Sequence, residues 1–222
     1  MNWTKKAEKY LNELAISYPA LAPLRESVAQ AAQLICECHL GGHKVLLCGN
    51  GGSASDSEHI VGELMKGFVL PRRVSPRDAL HLEEAFGQAG GELAGHLQRG
   101  IAAVALTGHA ALSTAIQNDT AAEVVFAQQV YVLGRPGDLL IGLSTSGNSR
   151  NVVNALQVGR AFGLKTIGLT GNRPAHMDAL CDVILKAPAS ETFKIQEYHL
   201  PIYHVLCLMV EEQLFGTGDD GS

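Results

Sequence analysis

Apolar residues Trp3, Ala7, Tyr10, Leu11 and Leu14 recur at helical spacing, which predicts a helix over 3–16. Pro19 and Pro23 mark a break. A second helix is expected over 21–40, ended by Gly41-Gly42. Short apolar runs then alternate with helical stretches. The runs Lys44–Cys48, Ile101–Leu106, Asp138–Leu143, Lys165–Leu169 and Val183–Ala187 read as strands. Helices are expected at 54–66, in segments up to about 133, at 149–162 and at 194–215. Strands alternating with helices imply an α/β fold with a five-stranded parallel sheet covered on both faces, a three-layer α/β/α sandwich.

The length of 222 residues suits one domain over 1–222, with 1–42 as N-terminal helices and 216–222 as a flexible tail. Residues 70–100 break the alternation. Pro71, Pro76, Gly87, Gly90, Gly91 and Gly95 are scattered among polar residues there, and Asp78–Phe86 reads as a short helix. A connection this long is either a surface excursion or a lid over a site.

Composition narrows the function classes. Charged residues make up 18% of the chain, below the usual ~25%, which implies surface buried against other subunits. The formal net charge is −5 and there is no basic run, so no nucleic-acid partner is expected. No apolar run approaches the ~18 residues of a membrane span. The five cysteines, Cys36, Cys38, Cys48, Cys181 and Cys207, form no CxxC and read as buried thiols in a reducing cytoplasm.

Two loops carry phosphate-type chemistry. The first, Gly49-Asn50-Gly51-Gly52-Ser53, follows a strand and opens a helix, so its amides can approach an anion. Gly49, Gly51 and Ala54 also fit a dinucleotide fingerprint. No acid stands ~20 residues on to hold a ribose, so no nucleotide cofactor is expected. The second, Ser144-Thr145-Ser146-Gly147-Asn148-Ser149, packs four hydroxyls into six residues. Such a cluster can satisfy phosphate oxygens without a cation cluster.

His59 and Glu63 lie four residues apart on the helix after the first loop and share a face. Gln196 and His204 lie eight apart on the last helix, ~12 Å along its axis, with Pro201 between them. A carboxylate and an imidazole suit proton transfer on a sugar, and the four side chains also offer a nitrogen–oxygen metal set. His199 reads as a structural spare, and Asp119 as a cap or ligand contact.

Taken together, Cys48-Gly-Asn-Gly-Gly-Ser53, Glu58-His59 with Glu63, Gln117-Asn-Asp119, Gly142-Leu-Ser-Thr-Ser-Gly-Asn-Ser149, Leu169-Thr-Gly171 and Ile195-Gln196-Glu197-Tyr-His199 resemble the sugar isomerase (SIS) superfamily. The two His-containing pairs narrow the resemblance to the phosphoheptose isomerases. It implies isomerisation of sedoheptulose 7-phosphate to D-glycero-D-manno-heptose 7-phosphate through an enediol. Glu63 would be the base and His204 its acid partner. Asn50, Gly51, Ser53, Asp119, Ser144, Thr145, Ser146, Ser149 and Gln196 would contact substrate. His59, Glu63, Gln196 and His204 would match the family's zinc positions. A cytoplasmic homotetramer with sites at subunit interfaces is also implied. One departure is Phe193, which stands where the family often has an aspartate. Two other readings are an isomerase of another sugar phosphate and a non-catalytic SIS adaptor that binds a sugar phosphate or a replication initiator. Retention of Glu63 and His204 argues against the adaptor.

Overall fold

A computed structural model describes residues 1–216. The chain runs through α1 (Lys5–Ser17), α2 (Arg25–Leu40), β1 (Val45–Cys48), α3 (Gly52–Met65), α4 (Pro76–Phe86) and α5 (Gln88–His96). It continues through β2 (Ala103–Ala105), α6 (Ala110–Asp119), α7 (Val125–Leu133), β3 (Leu139–Leu143) and α8 (Arg150–Ala161). The last elements are β4 (Lys165–Thr170), β5 (Val183–Lys186) and α9 (Thr192–Phe215). Thr4 caps α1 by accepting a hydrogen bond from the Ala7 amide at 3.1 Å.

All five strands are parallel, in the order β2-β1-β3-β4-β5. β1 and β3 are buried at every position. Their side chains alternate between two cores, as the pleat requires. Val45, Leu47, Leu139, Ile141 and Leu143 join α1, α2, α3 and α9 on one face. Leu46, Cys48 and Leu140 join α6, α7 and α8 on the other. Each fully buried leucine contributes roughly 1.5–3 kcal/mol of transfer free energy, so both faces of the sheet are firmly held.

The start of the second helix, the 70–100 segment and one thiol differ from expectation. The second helix begins at Arg25, not residue 21, because Pro19–Leu24 forms a 3-10 turn with Pro23 inside it. Proline lacks the N–H that an α-helix would need there. Residues 70–100 hold two helices rather than one. α4 and α5 pack on each other, and a bridge between Arg73 and Gln98 closes the base of this hairpin. The expected tail over 216–222 lies outside the described residues after Gly216. Cys181 is only half-buried, whereas the other four thiols are buried, and all five are free. No helix among the described residues is long and apolar enough to cross a membrane.

Candidate active site

In open parallel sheets, ligands bind beyond the carboxyl ends of the strands, where the strand order reverses. Here that point lies between β1 and β3, since the chain runs to β2 on one side and to β4 and β5 on the other. Both hydroxyl- and glycine-rich loops leave these two strands. Gly51 has φ +55° and Gly147 φ +64°, backbone settings that side chains other than glycine rarely adopt. Each loop can therefore turn sharply into the helix that follows.

The loops are tied together across the reversal point. The Asn50 and Asn151 side-chain amides pair reciprocally at 2.9 Å. Ser144 Oγ lies 2.9 Å from Ser149 Oγ, and Ser146 Oγ accepts the Asn148 amide at 3.2 Å. Ser53 is buried at the start of α3. Gln196 brings its side-chain amide against Gly52, so the first turns of α9 abut the first loop. Asn50 and Gly51 line a cleft of ≈ 330 Å³ that reaches Gln117 and Phe126. Thr145 and Ser146 line a second cleft of ≈ 280 Å³, shared with Asn172 and Arg173. Arg173 is a cation at the hydroxyl loop that sequence reasoning missed. It lies 27 positions past Ser146 and comes to the cleft only through the β4 turn. Arg150, by contrast, points into solvent toward Glu123, 3.8 Å away.

The acid–base candidates form their own cluster farther along the helices. His59 Nε2 is 3.3 Å from Glu63 Oε1, and the His59 and His204 rings meet edge-on with centroids 5.2 Å apart. Lys66 Nζ lies 3.3 Å from Glu63 Oε2. Tyr203 places its hydroxyl 3.0 Å from His59 Nδ1 and 3.3 Å from Asp56 Oδ1. Burial, and then the neighbouring His59, lower the pKa of His204, while Glu63 opposes that shift. Burial raises the pKa of Asp56 against the opposing Tyr203 hydrogen bond and the neighbouring His59. Asp56 on α3 and Lys66 just past its end were legible in principle, since they stand three residues from His59 and Glu63 respectively.

Some expected residues stand apart. Gln196 is about 12 Å along α9 from His204 by helical rise, at the loop end of the helix. Asp119 ends α6, is exposed, and accepts a hydrogen bond from the Asn118 side chain. Gln117, not Asp119, lines the adjacent cleft. His199 is buried, with Nε2 3.4 Å from the Thr170 carbonyl. Phe193 is largely exposed, and the position itself carries no carboxylate.

Among the described residues, no three His, Cys, Asp or Glu side chains stand ready around a metal ion. The donor chemistry nonetheless fits zinc. Two ligands at ~2.05 Å in a tetrahedron lie about 3.3 Å apart, which matches the His59–Glu63 separation of 3.3 Å. A neutral imidazole has a single N–H. With a proton on Nε2 facing Glu63, Nδ1 accepts from the Tyr203 hydroxyl; with a metal cation on Nε2, the single N–H sits on Nδ1 and donates toward Tyr203. His204 and Gln196 on α9 are the other two candidate donors, eight residues apart along that helix.

The reversal-point loops and the His/Glu cluster on flanking helices define a SIS-class α/β protein. The SIS domain family matches residues 9–90 and 78–171, two segments that overlap on α4 and the start of α5. The phosphoheptose isomerase of Akkermansia muciniphila is 35% identical over 203 residues, 91% of this chain and 94% of its own. That of Burkholderia pseudomallei is 42% identical over 175 residues, 79% of this chain and 76% of its own. The solved phosphoheptose isomerase of Neisseria gonorrhoeae superposes with a TM-score of 0.71 at 33% identity, covering 93% of this chain and 96% of that one. The chain belongs to the phosphoheptose isomerase family.

Proposed function

We propose that this chain isomerises sedoheptulose 7-phosphate to D-glycero-D-manno-heptose 7-phosphate. The observation that carries this reading is the separation of two chemistries. Anion-binding loops lie at one end of the α3/α9 pair, and the carboxylate–imidazole cluster lies farther along it, about 16 Å past Gly52 for Glu63 and about 12 Å past Gln196 for His204 by helical rise. A seven-carbon chain with its terminal phosphate ester spans about 10 Å when extended, from bond lengths near 1.5 Å. In this reading the phosphate sits at Ser144–Ser149 and the extended chain directs C1 and C2 toward Glu63 and His204.

Glu63 Oε2 removes a proton from C1. The electron pair forms the C1–C2 double bond, and His204 protonates the former carbonyl oxygen at C2. His204 then accepts the O1 proton as the C1 aldehyde forms, and Glu63 returns its proton to C2. The balance is one carbon-bound proton moved from C1 to C2 and one oxygen-bound proton moved from O1 to O2. Ser53, Gln196 and the Asn50-Gly51 turn hold the sugar beside the loops, and Asp119 belongs to the same expectation through the rim of the Gln117 cleft. Zinc held by His59, Glu63, Gln196 and His204 would polarise the carbonyl as a Lewis acid.

A homotetramer with sites at its interfaces and a cytoplasmic location complete the reading. The low charge fraction and the free thiols support them. The decisive experiment follows a panel of ketose phosphates by proton NMR. Sedoheptulose 7-phosphate should yield the aldoheptose signal with the highest kcat/KM, and unphosphorylated sedoheptulose should barely react. Preference for a shorter ketose phosphate would overturn the substrate assignment.

A further inference from the structure

One buried ion pair lies outside every contact assigned so far. Arg72 and Glu211 have side chains with no solvent exposure, and Arg72 Nε donates to Glu211 Oε1 at 2.6 Å. A buried pair of this kind contributes little net stability unless its remaining donors and acceptors are satisfied. Here they are satisfied by backbone around the proposed base. Arg72 Nη1 donates to the Leu64 carbonyl at 2.8 Å and Nη2 to the Glu63 carbonyl at 3.1 Å. These carbonyls lie in the last turn of α3, where the helix leaves them without internal partners. The Glu211 carboxylate accepts from the Phe68, Val69 and Leu70 amides at 2.7, 2.8 and 3.1 Å.

The pair thus joins the helix that carries Glu63 to the helix that carries His204. Glu211 stands seven residues after His204, two turns along α9 and on a similar face. We propose that Arg72, held by Glu211, is a positioning residue for the isomerase reaction, fixing the end of α3 so that Glu63 stays in register with His204. This rests on the reading of Glu63 as the base. Nothing in the pair touches substrate. Its effect runs through the backbone of the residue that does.

The geometry needs a guanidinium. Its planar fork reaches one carboxylate and two carbonyls at once, whereas a lysine ammonium is a single point of charge. Arg72→Lys keeps the charge opposite Glu211 and loses the two-carbonyl clamp. It should stay folded by circular dichroism, lose at least about 10-fold in kcat, and change KM for sedoheptulose 7-phosphate less than about 2-fold. The primary isotope effect with substrate deuterated at C1 should rise, because a displaced base slows proton transfer itself. Glu211→Gln is the second variant. It keeps the shape and one acceptor oxygen for the Phe68–Leu70 amides while removing the charge that holds Arg72, and it should show a loss of kcat in the same direction. Wild-type kcat and isotope effect in either folded variant, with only a lowered melting temperature, would make the pair merely structural. Glu63→Gln is measured in parallel. If it is inactive while Arg72→Lys is normal, the positioning role alone falls; if Glu63→Gln is itself active, the base assignment falls with it.

Discussion

Glu63 is the residue on which the proposed chemistry turns. It is mostly buried, with His59 on one oxygen and Lys66 on the other. Glu63→Gln keeps the shape and removes the base. Turnover should drop at least ~100-fold with unchanged circular dichroism, and near-normal turnover would refute the assignment. His199 supports a different prediction. Burial pushes its pKa down to about 4, and the Thr170 carbonyl only partly offsets that. The unfolded chain, with a histidine pKa near 6.5, binds a proton that the folded chain refuses. Stability from this group is therefore complete above about pH 6.5 and is lost as pH falls toward 4. The loss at pH 5 is about 2 kcal/mol. Urea midpoints measured from pH 8 to pH 4 should show this slope, and His199→Gln should flatten it. His59, Glu63 and His204 were legible as chemistry because residue type and helical spacing are local facts. Tyr203 and Arg173 were not, because each reaches its partners only through the packing of separate elements.

At the scale of elements, the strands and most helices follow directly from apolar periodicity. Gln88–His96 does not, since Gly90, Gly91 and Gly95 read as loop. It is helical because small residues let α5 lie close on α4. Gly90 and Ala94 are its buried positions, and a Cβ at Gly90 would come within 1.9 Å of the Leu82 carbonyl oxygen. α4 buries nothing of its own. Gly90→Ala should therefore open the hairpin while leaving the sheet domain intact. Amides in 76–96 should lose exchange protection by mass spectrometry, with global stability changed by less than about 1 kcal/mol. Loss of protection spread over the whole chain would show that the hairpin is part of the core. Arg72 and Glu211 mark the boundary of what periodicity can reveal, since a buried pair joining positions 139 residues apart leaves no local pattern.

At the scale of the molecule, the order β2-β1-β3-β4-β5 explains why two loops far apart in sequence meet at one place. The alternation of strands and helices implied the sheet, but the neighbours of each strand emerge only in three dimensions. The same holds for the surface. Tyr10, Leu14, Tyr18, Leu200, Pro201 and Val205 line a groove between α1 and α9, and His204 opens into it. Ile16 is 77% exposed on the nearby end of α1. Scattered exposed apolar residues are ordinary, but a groove that also presents a proposed catalytic imidazole suits a surface covered by another copy. In the proposed homotetramer, this groove would close against a second chain and shield His204 from bulk water. Light scattering should give four chains per particle. Leu200→Glu places a charge in the groove without altering Glu63 or His204, and it should shift the particle to smaller species. Turnover should fall in step with dissociation and recover at high protein concentration, where reassociation is favoured. A wild-type chain that is monomeric and active at nanomolar concentration, or a dissociated Leu200→Glu variant with full activity, would show that the groove and the assembly take no part in the reaction.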